Sequence, residues 1–355
     1  MIGGKAKRDR RRMTFAHLLR RLPQLLSRRR LKRLQSASRD KGTVRSGLAE
    51  NVKGHSVDVT SGNLKTKWLD LDYAEVAYRG EVMRYATTGS SSAKRVRSLF
   101  TKEPITLAWI DSFRENEVLF DIGANVGMYT VYAAMMRKAR VYSFEPEALN
   151  YAELNKNIYL NNLHHTCLAY GLALSDVDKT DRLLLSDFGL GISYHDFEEN
   201  SWTEDKQFAE DWHVSKDHRR PQGCIGRRVD TLIADGLPVP NHIKIDVDGL
   251  EHRVIAGMLE TLRQPDLRTV LIEINFDNPT NLAIIDQLEA MGWRYSWEQL
   301  RINRKVKFTI DQIKEYQRRG VGGLNYIFFK EDSYADLFQR VFNTYTPGEI
   351  IDISV

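Results

Sequence analysis

Cysteine and proline are scarce in this sequence, and no long hydrophobic run is present. The 355 residues include only 2 Cys and 9 Pro, which excludes a disulfide scaffold and a proline-rich fibrous chain. Cys167 and Cys224 show no paired metal-ligand spacing, and this favours a reducing, cytoplasmic setting. The longest uncharged stretches, 122–136 and 157–175, are interrupted by Gly, Asn or His and could not span a bilayer. With 42% hydrophobic and 28% charged residues, the composition is that of a globular protein.

Basic charge is concentrated at one end of the chain. Residues 1–41 contain 15 Lys and Arg against two acidic residues, whereas residues 42–355 contain 37 basic and 45 acidic ones. Within this basic arm, apolar residues recur at helical spacing at Phe15, Leu18, Leu19, Leu22 and Leu26. The arm is compatible with a solvated segment, peripheral contact with an anionic membrane surface, a mitochondrial presequence or nucleic-acid binding. Nucleic acid is the unfavoured partner, because no basic and aromatic surface continues into the acidic body.

The pattern over residues 104–330 is that of one α/β domain with a doubly wound, mostly parallel sheet. Residues 42–103 are expected to be a linker and N-terminal extension, irregular over 42–66, and residues 331–355 a C-terminal tail. Residues 176–240 interrupt the alternation as an insertion, which we expect to form a lid. The predicted strands are 118–122, 140–144, 166–174, 242–247, 268–275, 293–297 and 324–329. The predicted helices are 104–113, 126–137, 147–160, 251–262 and 281–291.

The most informative segment is the strand, turn and helix over residues 118–130. Gly123 would let a ligand lie against the backbone, Gly127 would let the helix approach closely, and the helix start would offer free N–H groups to an anion. Asp121 ends the strand, and Glu145 follows the next strand, 24 residues later, where an acid can accept hydrogen bonds from ribose hydroxyls. The spacing is Gly-x-x-x-Gly, not the G-x-G-x-x-G of nicotinamide enzymes. The carboxylate of Asp121, before the first glycine, suits a ligand with an ammonium group. The segment therefore favours S-adenosylmethionine over a dinucleotide.

These motifs resemble those of the FkbM family of class I methyltransferases. The resemblance rests on Asp121-Ile-Gly-Ala-Asn-Val-Gly-Met-Tyr-Thr130, Phe144-Glu-Pro146, Asn150, Ala173-Leu-Ser-Asp176, Ile243-Lys-Ile-Asp-Val-Asp-Gly-Leu-Glu251 and Ile272-Glu-Ile-Asn275. It covers roughly residues 104–330. It implies a Rossmann-like sheet with an antiparallel strand near one edge, and methyl transfer from S-adenosylmethionine, frequently to sugar hydroxyls. The implied cofactor-binding residues are Asp121, Gly123, Asn125, Gly127 and Glu145, with Ser175 or Asp176 near adenine.

The fourth strand supplies the candidate chemistry, because Lys244, Asp246 and Asp248 alternate onto one of its faces. A hydroxyl attacks better when a carboxylate accepts its proton, so Asp246 is the first candidate for the base or acceptor-orienting group. Asp248 and Glu273 follow it, although the family more often has Glu than Asp at position 248. Two alternatives stay open: a structural ion pair between Lys244 and Glu273, and a divalent cation bound by the same carboxylates. No residue is assigned to a metal.

The insertion carries residues that suit stacking on a sugar ring, although a lid that only packs would use the same types. They are Phe188, Tyr194, His195, Trp202, Trp212, His213 and His218. Three hypotheses follow: an O-methyltransferase with a small-molecule or glycan acceptor under this acceptor lid, an N- or carboxyl-methyltransferase, and a non-catalytic scaffold. His195 is a further candidate base. The missing Asn/Asp-Pro-Pro-aromatic run disfavours amino-nitrogen methylation, and the intact Asp121, Glu145 and Asp246 disfavour the scaffold.

Overall fold

The computed structural model describes residues 49–52, 55–65, 70–185, 196–197, 220–301 and 308–335. The basic arm, the aromatic residues of the insertion and most of the C-terminal tail lie outside the described residues. The predictions of membrane contact, of the aromatic acceptor lid and of His195 as a base therefore concern residues that are not described. Among the helices that are described, none is long and apolar enough to cross a membrane.

The described residues contain fourteen strands in three sheets. The strands are β1 (Ala49–Val52), β2 (His55–Lys65), β3 (Asp70–Tyr78), β4 (Glu81–Ala86), β5 (Val118–Ile122), β6 (Arg140–Phe144), β7 (Cys167–Tyr170), β8 (Ala173–Leu174), β9 (Lys179–Leu185), β10 (Asp196–Phe197), β11 (Arg220–Arg227), β12 (His242–Ile245), β13 (Thr269–Asn275) and β14 (Gly323–Phe329). The central sheet has the order β14-β13-β12-β5-β6-β7, and its strands are parallel except β14, which runs antiparallel to β13 at the edge. The predicted fold class is confirmed. The strand order reverses between β5 and β12, so a switch point lies at their carboxyl ends.

Helices cover both faces of the central sheet. They are α1 (Ser90–Lys102), α2 (Pro104–Asp111), α3 (Met128–Arg137), α4 (Ala148–Leu160), α5 (Val229–Ala234), α6 (Glu251–Ala256), α7 (Pro279–Ala290), α8 (Trp297–Leu300) and α9 (Ile310–Arg319). Side chains alternate along β5: Leu119 is buried with residues of α2, α3 and α4, whereas Phe120 is buried with residues of α5, α6 and α7. This alternation, with apolar residues on both sides, is what a strand covered on two faces requires.

Residues 55–65 form a strand, so the irregular structure predicted for residues 42–66 is wrong there. β1 to β4 make an antiparallel sheet, in which β2 pairs with β3 from Asp58 opposite Ala77 to Lys65 opposite Asp70. The Asp, Gly and Asn residues of β2 have weak local strand preference. The neighbouring β3 fixes their conformation, because β3 pairs with β2 on one side and with β4 on the other.

Two asparagine side chains, Asn157 of α4 and Asn161 directly after it, bond to the free edge of β4. Arg84 N donates to Asn161 Oδ1 at 2.7 Å, and the Arg84 carbonyl accepts from Asn161 Nδ2 at 2.7 Å. Ala86 N donates to Asn157 Oδ1 at 2.7 Å, and Asn157 Nδ2 donates to the Val126 carbonyl at 2.6 Å. The N-terminal sheet is therefore hydrogen-bonded to the α/β domain through α4.

Two predicted strands of the α/β domain differ from the observed ones. The strand predicted over 166–174 is interrupted, because Cys167–Tyr170 pairs with β6 whereas Ala173–Leu174 pairs with β11 in another sheet. The strand predicted over 293–297 is wrong. Arg294 makes only an isolated bridge to Phe329, and α8 begins at Trp297 because the Ser296 hydroxyl accepts a hydrogen bond from the Glu298 N–H.

A buried polar network ties β12, β13 and α2 together at the amino-terminal edge of the sheet. Trp109 Nε1 donates to Thr269 Oγ1 at 2.7 Å, and His242 Nδ1 lies 2.7 Å from the same oxygen. An indole N–H only donates, so the Thr269 hydroxyl proton is left for His242 Nδ1. His242 Nε2 then donates to Glu117 Oε2 at 2.9 Å, and Phe113 stacks on the imidazole with a centroid distance of 3.8 Å. Burial lowers the pKa of His242, in keeping with a neutral ring.

We expect Thr269→Val to destabilise the protein, because valine keeps the shape and removes the hydroxyl. The Trp109 N–H and His242 Nδ1 would both lose their partner in the interior, at a cost of about 1–3 kcal/mol each. Urea unfolding followed by circular dichroism should show a free energy of unfolding lower by about 2–5 kcal/mol. Thr180→Val on exposed β9 is the control and should stay close to wild type. Equal midpoints for the two variants would contradict this account of the network.

Candidate functional site

The turn after β5 is shaped by two glycines in the left-handed region. Gly123 has φ +73°, and a β-carbon there would lie 1.9 Å from the backbone oxygen of Asp246. Gly127 has φ +78°, and a β-carbon there would lie 2.4 Å from Leu154 Cδ1 of α4. The absence of a side chain at Gly123 thus makes room for the backbone after β12. The sequence predicts instead that it makes room for a ligand. Gly127 allows close approach to α4 rather than to β5.

The backbone N–H groups of this turn are already used within the chain. Gly123 N and Ala124 N both donate to the Phe144 carbonyl, at 3.0 and 3.1 Å. Asn125 N donates to Glu145 Oε2 at 2.7 Å, and the next two N–H groups bond to Asn125 Oδ1 and to the Ala124 carbonyl. The N–H groups at positions 123–127 are therefore not free for an anion. Free N–H groups at the start of α3, at Met128, stay a prediction.

Glu145 lies beneath the turn at the end of β6 and is 5% exposed. Its Oε2 accepts from Asn125 N at 2.7 Å and its Oε1 from Glu147 N at 2.9 Å. Burial raises the pKa of Glu145 to about 7, although both backbone donors act in the opposite direction. A carboxyl group with this pKa changes its charge near neutral pH, and a ligand that donates hydrogen bonds to it would favour the ionised form.

A buried lysine joins the ends of β5 and β12. Lys244 pairs in register with Asp121, its Nζ lies 2.9 Å from Asp246 Oδ2 and 4.0 Å from Asp121 Oδ1, and it is 2% exposed. The predicted alternative of a Lys244–Glu273 ion pair is thus replaced by pairing with two aspartates. Burial opposes the charge, but the two carboxylates raise the pKa of Lys244 above its ordinary value. Asp121 Oδ2 accepts from the Thr130 hydroxyl at 2.6 Å, and Asp121 Oδ1 has no hydrogen-bond partner within the described residues.

Asp246 and Glu273 are hydrogen-bonded to each other and have opposite protonation preferences. Burial would raise the pKa of Asp246, but Lys244, Lys102 and the hydrogen bond from Glu273 hold it well below its ordinary value. Burial and the nearby charge of Asp246 raise the pKa of Glu273 well above its ordinary value. These opposite shifts favour the ionised form of Asp246 and the protonated form of Glu273. Environments that push two carboxyl groups apart in this way are a mark of functional sites.

A cleft opens at the switch point and brings several of these residues to one wall. It encloses about 470 Å³ when the open solvent at its mouth is counted. It is lined by the turn residues 123–126, by Met128 and Tyr129, by Lys244 and Asp246, and by Arg95, Ser98, Leu99 and Lys102 of α1. The structure therefore places Gly123, Asn125 and Asp246 together on the cleft, with Asp121 behind Lys244.

Asp248 belongs to the tight turn that follows β12, not to the wall of this cleft. It has φ 55°, in the left-handed region, and it contributes repulsion to the carboxyl groups of Glu145 and Glu273. The turn is held by Glu251, whose Oε1 accepts from Val247 N and Gly249 N at 3.1 Å each. Burial raises the pKa of Glu251 to about 7. Glu251 therefore fixes the backbone geometry that positions Asp248.

Ser175 and Asp176 lie away from the described cleft, beside α6. The Ser175 hydroxyl donates to Asp176 Oδ1 at 3.0 Å, and Asp176 Oδ1 is 3.7 Å from Arg253 Nη1. The Ser175 carbonyl packs so closely on Gly257 that a β-carbon there would lie 2.0 Å away. A role near adenine stays a prediction for both residues.

The α1 residues of the cleft were missed by sequence reasoning. Their signal is present: Val96, Leu99 and Phe100 recur at helical spacing after Gly89-Ser-Ser-Ser92, which can begin a helix as well as form a loop. In the sequence, Glu251 stands out only as the last residue of the Ile243–Glu251 motif, without a role of its own. Within the described part of the chain, no group of three or more His, Cys, Asp or Glu residues could hold a metal ion.

Comparisons with known proteins agree on one enzyme class. Residues 121–295 match the family model described as methyltransferase FkbM domain. The hexuronic acid methyltransferase AglP of Haloferax volcanii is 25% identical over 238 residues, which cover 67% of this chain and 87% of that relative.

Solved structures with similar folds are more distant. The crystal structure of methyltransferase FkbM from Methylobacillus flagellatus KT has 14% identity and a TM-score of 0.39; the match covers 68% of this chain, which spans only 55% of that one. The structure of M. jannaschii TYW2 in complex with AdoMet has 15% identity and a TM-score of 0.31, over 73% of this chain and 87% of that one.

We expect Gly123→Ala to disrupt the turn even without any ligand. The new β-carbon would overlap the Asp246 carbonyl, and alanine is strained at φ +73°. Backbone strain and overpacking each cost about 1–3 kcal/mol, so the free energy of unfolding should fall by about 2–6 kcal/mol. Gly223→Ala is the matched control, because no atom lies within 4 Å of its β-carbon position. Urea midpoints for the two variants measure the difference, and wild-type stability of Gly123→Ala would refute the close approach.

Proposed function

Because the chain belongs to the FkbM methyltransferase family through its residues 121–295, we propose that it is an S-adenosylmethionine-dependent methyltransferase that acts on a sugar-bearing acceptor. The observation that carries this proposal is the cleft in which the turn 123–126 and Asp246 share one wall. The sugar acceptor is supported by the similarity to a relative named as a hexuronic acid methyltransferase.

The residues present fit this cofactor. The turn with Gly123 and Asn125 supplies a wall without bulky side chains, and Glu145 presents a buried carboxylate at the end of β6, where ribose hydroxyls can donate to it. Asp121 Oδ1 is a buried oxygen without a hydrogen-bond partner in the described residues and can accept a bond from an ammonium group, directly or through water. When bound, S-adenosylmethionine supplies a methyl carbon attached to a sulfonium leaving group.

Asp246 orients the acceptor oxygen and accepts its proton in the proposed reaction. Its low pKa is compatible with this role, because a hydroxyl oxygen becomes strongly acidic as its bond to the methyl carbon forms. Lys244 and Glu273 hold the Asp246 side chain in place from two directions. The main contribution of the cleft is alignment, since the leaving group needs no activation.

A carboxylate acceptor is a second candidate, because a carboxylate has no proton to lose and needs no base. The two products differ chemically. A methyl ester releases methanol in mild base, whereas a methyl ether is stable, so alkaline treatment of the labelled product separates these candidates.

We expect cofactor affinity to depend on the ionisation of Glu145. Its pKa of about 7 in the free protein means that a proton must leave before the carboxylate can accept ribose hydroxyls. Affinity for S-adenosylhomocysteine should therefore fall about tenfold for each pH unit below about 7 and level off above it. Titration calorimetry from pH 5.5 to 8.5 measures the profile. Glu145→Gln should bind weakly with a flat profile; a wild-type profile that is flat would contradict the role of Glu145, and no binding at all would end the proposed function.

We expect Asp246→Asn to lower turnover about a hundredfold or more and to change the affinity for S-adenosylhomocysteine little. The assay is transfer of a labelled methyl group in a screen over nucleotide sugars and lipid-linked saccharides. Asp266→Asn, a change at an exposed residue shortly before β13, is the control. Wild-type turnover in Asp246→Asn would remove it as the proton acceptor while leaving the cofactor assignment intact.

A further inference from the structure

One face of α1 forms a wall of the cleft. Arg95, Ser98, Leu99 and Lys102 all line it, and their spacing of three, four and seven residues places them on a single helical stripe. The stripe extends about 10 Å along the helix axis, at 1.5 Å per residue. α1 precedes residues 121–295, so this wall lies outside the segment that matches the family model.

The position of the stripe is fixed by the buried side of the helix. Val96 and Phe100 are buried in the core shared with α2 and α3, and Phe100 contacts Tyr78 of β3 with a ring distance of 4.5 Å. The Ser92 hydroxyl donates to Glu153 Oε1 of α4 at 3.3 Å. The helix therefore cannot rotate its basic residues away from the cleft without breaking these contacts.

The walls of the cleft carry more positive than negative charge. Arg95, Lys102 and Lys244 line it, whereas Asp246 is its one acidic lining residue among those described. Lys102 Nζ lies 2.5 Å from Glu103 Oε1, and Glu103 is held in turn by the Tyr129 hydroxyl at 2.9 Å. Lys244 is engaged by Asp246. The α1 stripe, with Arg95 at one end and Lys102 at the other, is the basic part of the wall that faces the rest of the cleft.

We infer that the α1 stripe binds a carboxylate of a substrate, with Arg95 as the principal contact and Ser98 and Lys102 as supporting donors. A guanidinium presents paired N–H groups that match a carboxylate, and the serine hydroxyl adds one neutral donor. The turn 123–127 cannot take this role, because its N–H groups are bonded within the chain. The inference rests on the proposed function, under which the carboxylate comes from the amino-acid end of the methyl donor or from a uronic-acid acceptor.

Arg95→Met, which keeps an apolar stem and removes the charge, tests the inference. Arg97→Met is the matched control, because Arg97 is exposed and does not line the cleft. The donor arm compares binding of S-adenosylhomocysteine with that of 5′-methylthioadenosine, which lacks the amino-acid end. The acceptor arm compares binding of glucuronate with that of glucose to protein saturated with S-adenosylhomocysteine. Lys102→Met is tested in both arms, and thermal unfolding checks that each variant is folded.

Arg95→Met should weaken one carboxylate-bearing ligand by about tenfold to a hundredfold and leave its uncharged counterpart unchanged. A loss confined to S-adenosylhomocysteine identifies the donor as the source, and a loss confined to glucuronate identifies the acceptor. Wild-type affinity for both ligands in Arg95→Met and in Lys102→Met would overturn the inference while leaving the proposed function standing. Failure of wild type to bind S-adenosylhomocysteine would overturn both. An equal loss in Arg97→Met would show a general charge effect and would also overturn the inference.

Discussion

A lysine ammonium held between two aspartates is the interaction on which the site depends. Lys244 of β12 lies directly opposite Asp121 of β5 in the parallel register and contacts Asp246 just beyond the end of its own strand. An ammonium that is 2% exposed would be strongly unfavourable alone, so the two carboxylates are a condition for its burial. Close backbone packing holds the same strand ends together, because Gly123 lies against the Asp246 carbonyl. Charge and close packing together hold the carboxyl ends of β5 and β12 in one arrangement.

The acidic residues of the site differ in pKa because of their surroundings and not because of their residue type. Lysines lower the pKa of Asp246, burial and the charge of Asp246 raise the pKa of Glu273, and burial raises the pKa of Glu145 to about 7. Three carboxyl groups near one cleft can thus provide a fixed acceptor, a fixed donor and a group that responds to what binds. Such a division cannot be read from a sequence, in which each of these residues is simply an acid after a strand.

The parts of the fold that depend on local pattern were predictable. The bounds of β5 and β6 coincide with the predicted strands, because each is a short, mostly apolar run between turn residues. β2 was not predictable, since its polar residues become a strand only by pairing with β3. Gly123 and Asp246 were predicted from their positions after strands, and the structure brings both to the same cleft. The basic residues of α1 were not, because only the tertiary fold brings a helix from outside the motif region onto the cleft.

The asparagines at the end of α4, Asn157 and Asn161, have a consequence for the behaviour of this protein in concentrated solution. β4 is the last strand of its sheet, and an unpaired outer strand invites another chain to add to it and begin aggregation. Asn161 and Asn157 occupy the outward-facing groups of Arg84 and the N–H of Ala86, as a neighbouring strand would do. The amide side chains imitate a piece of backbone. The protein thereby covers the part of this border at Arg84 and Ala86 with its own residues, which leaves less of it as a template for a foreign strand.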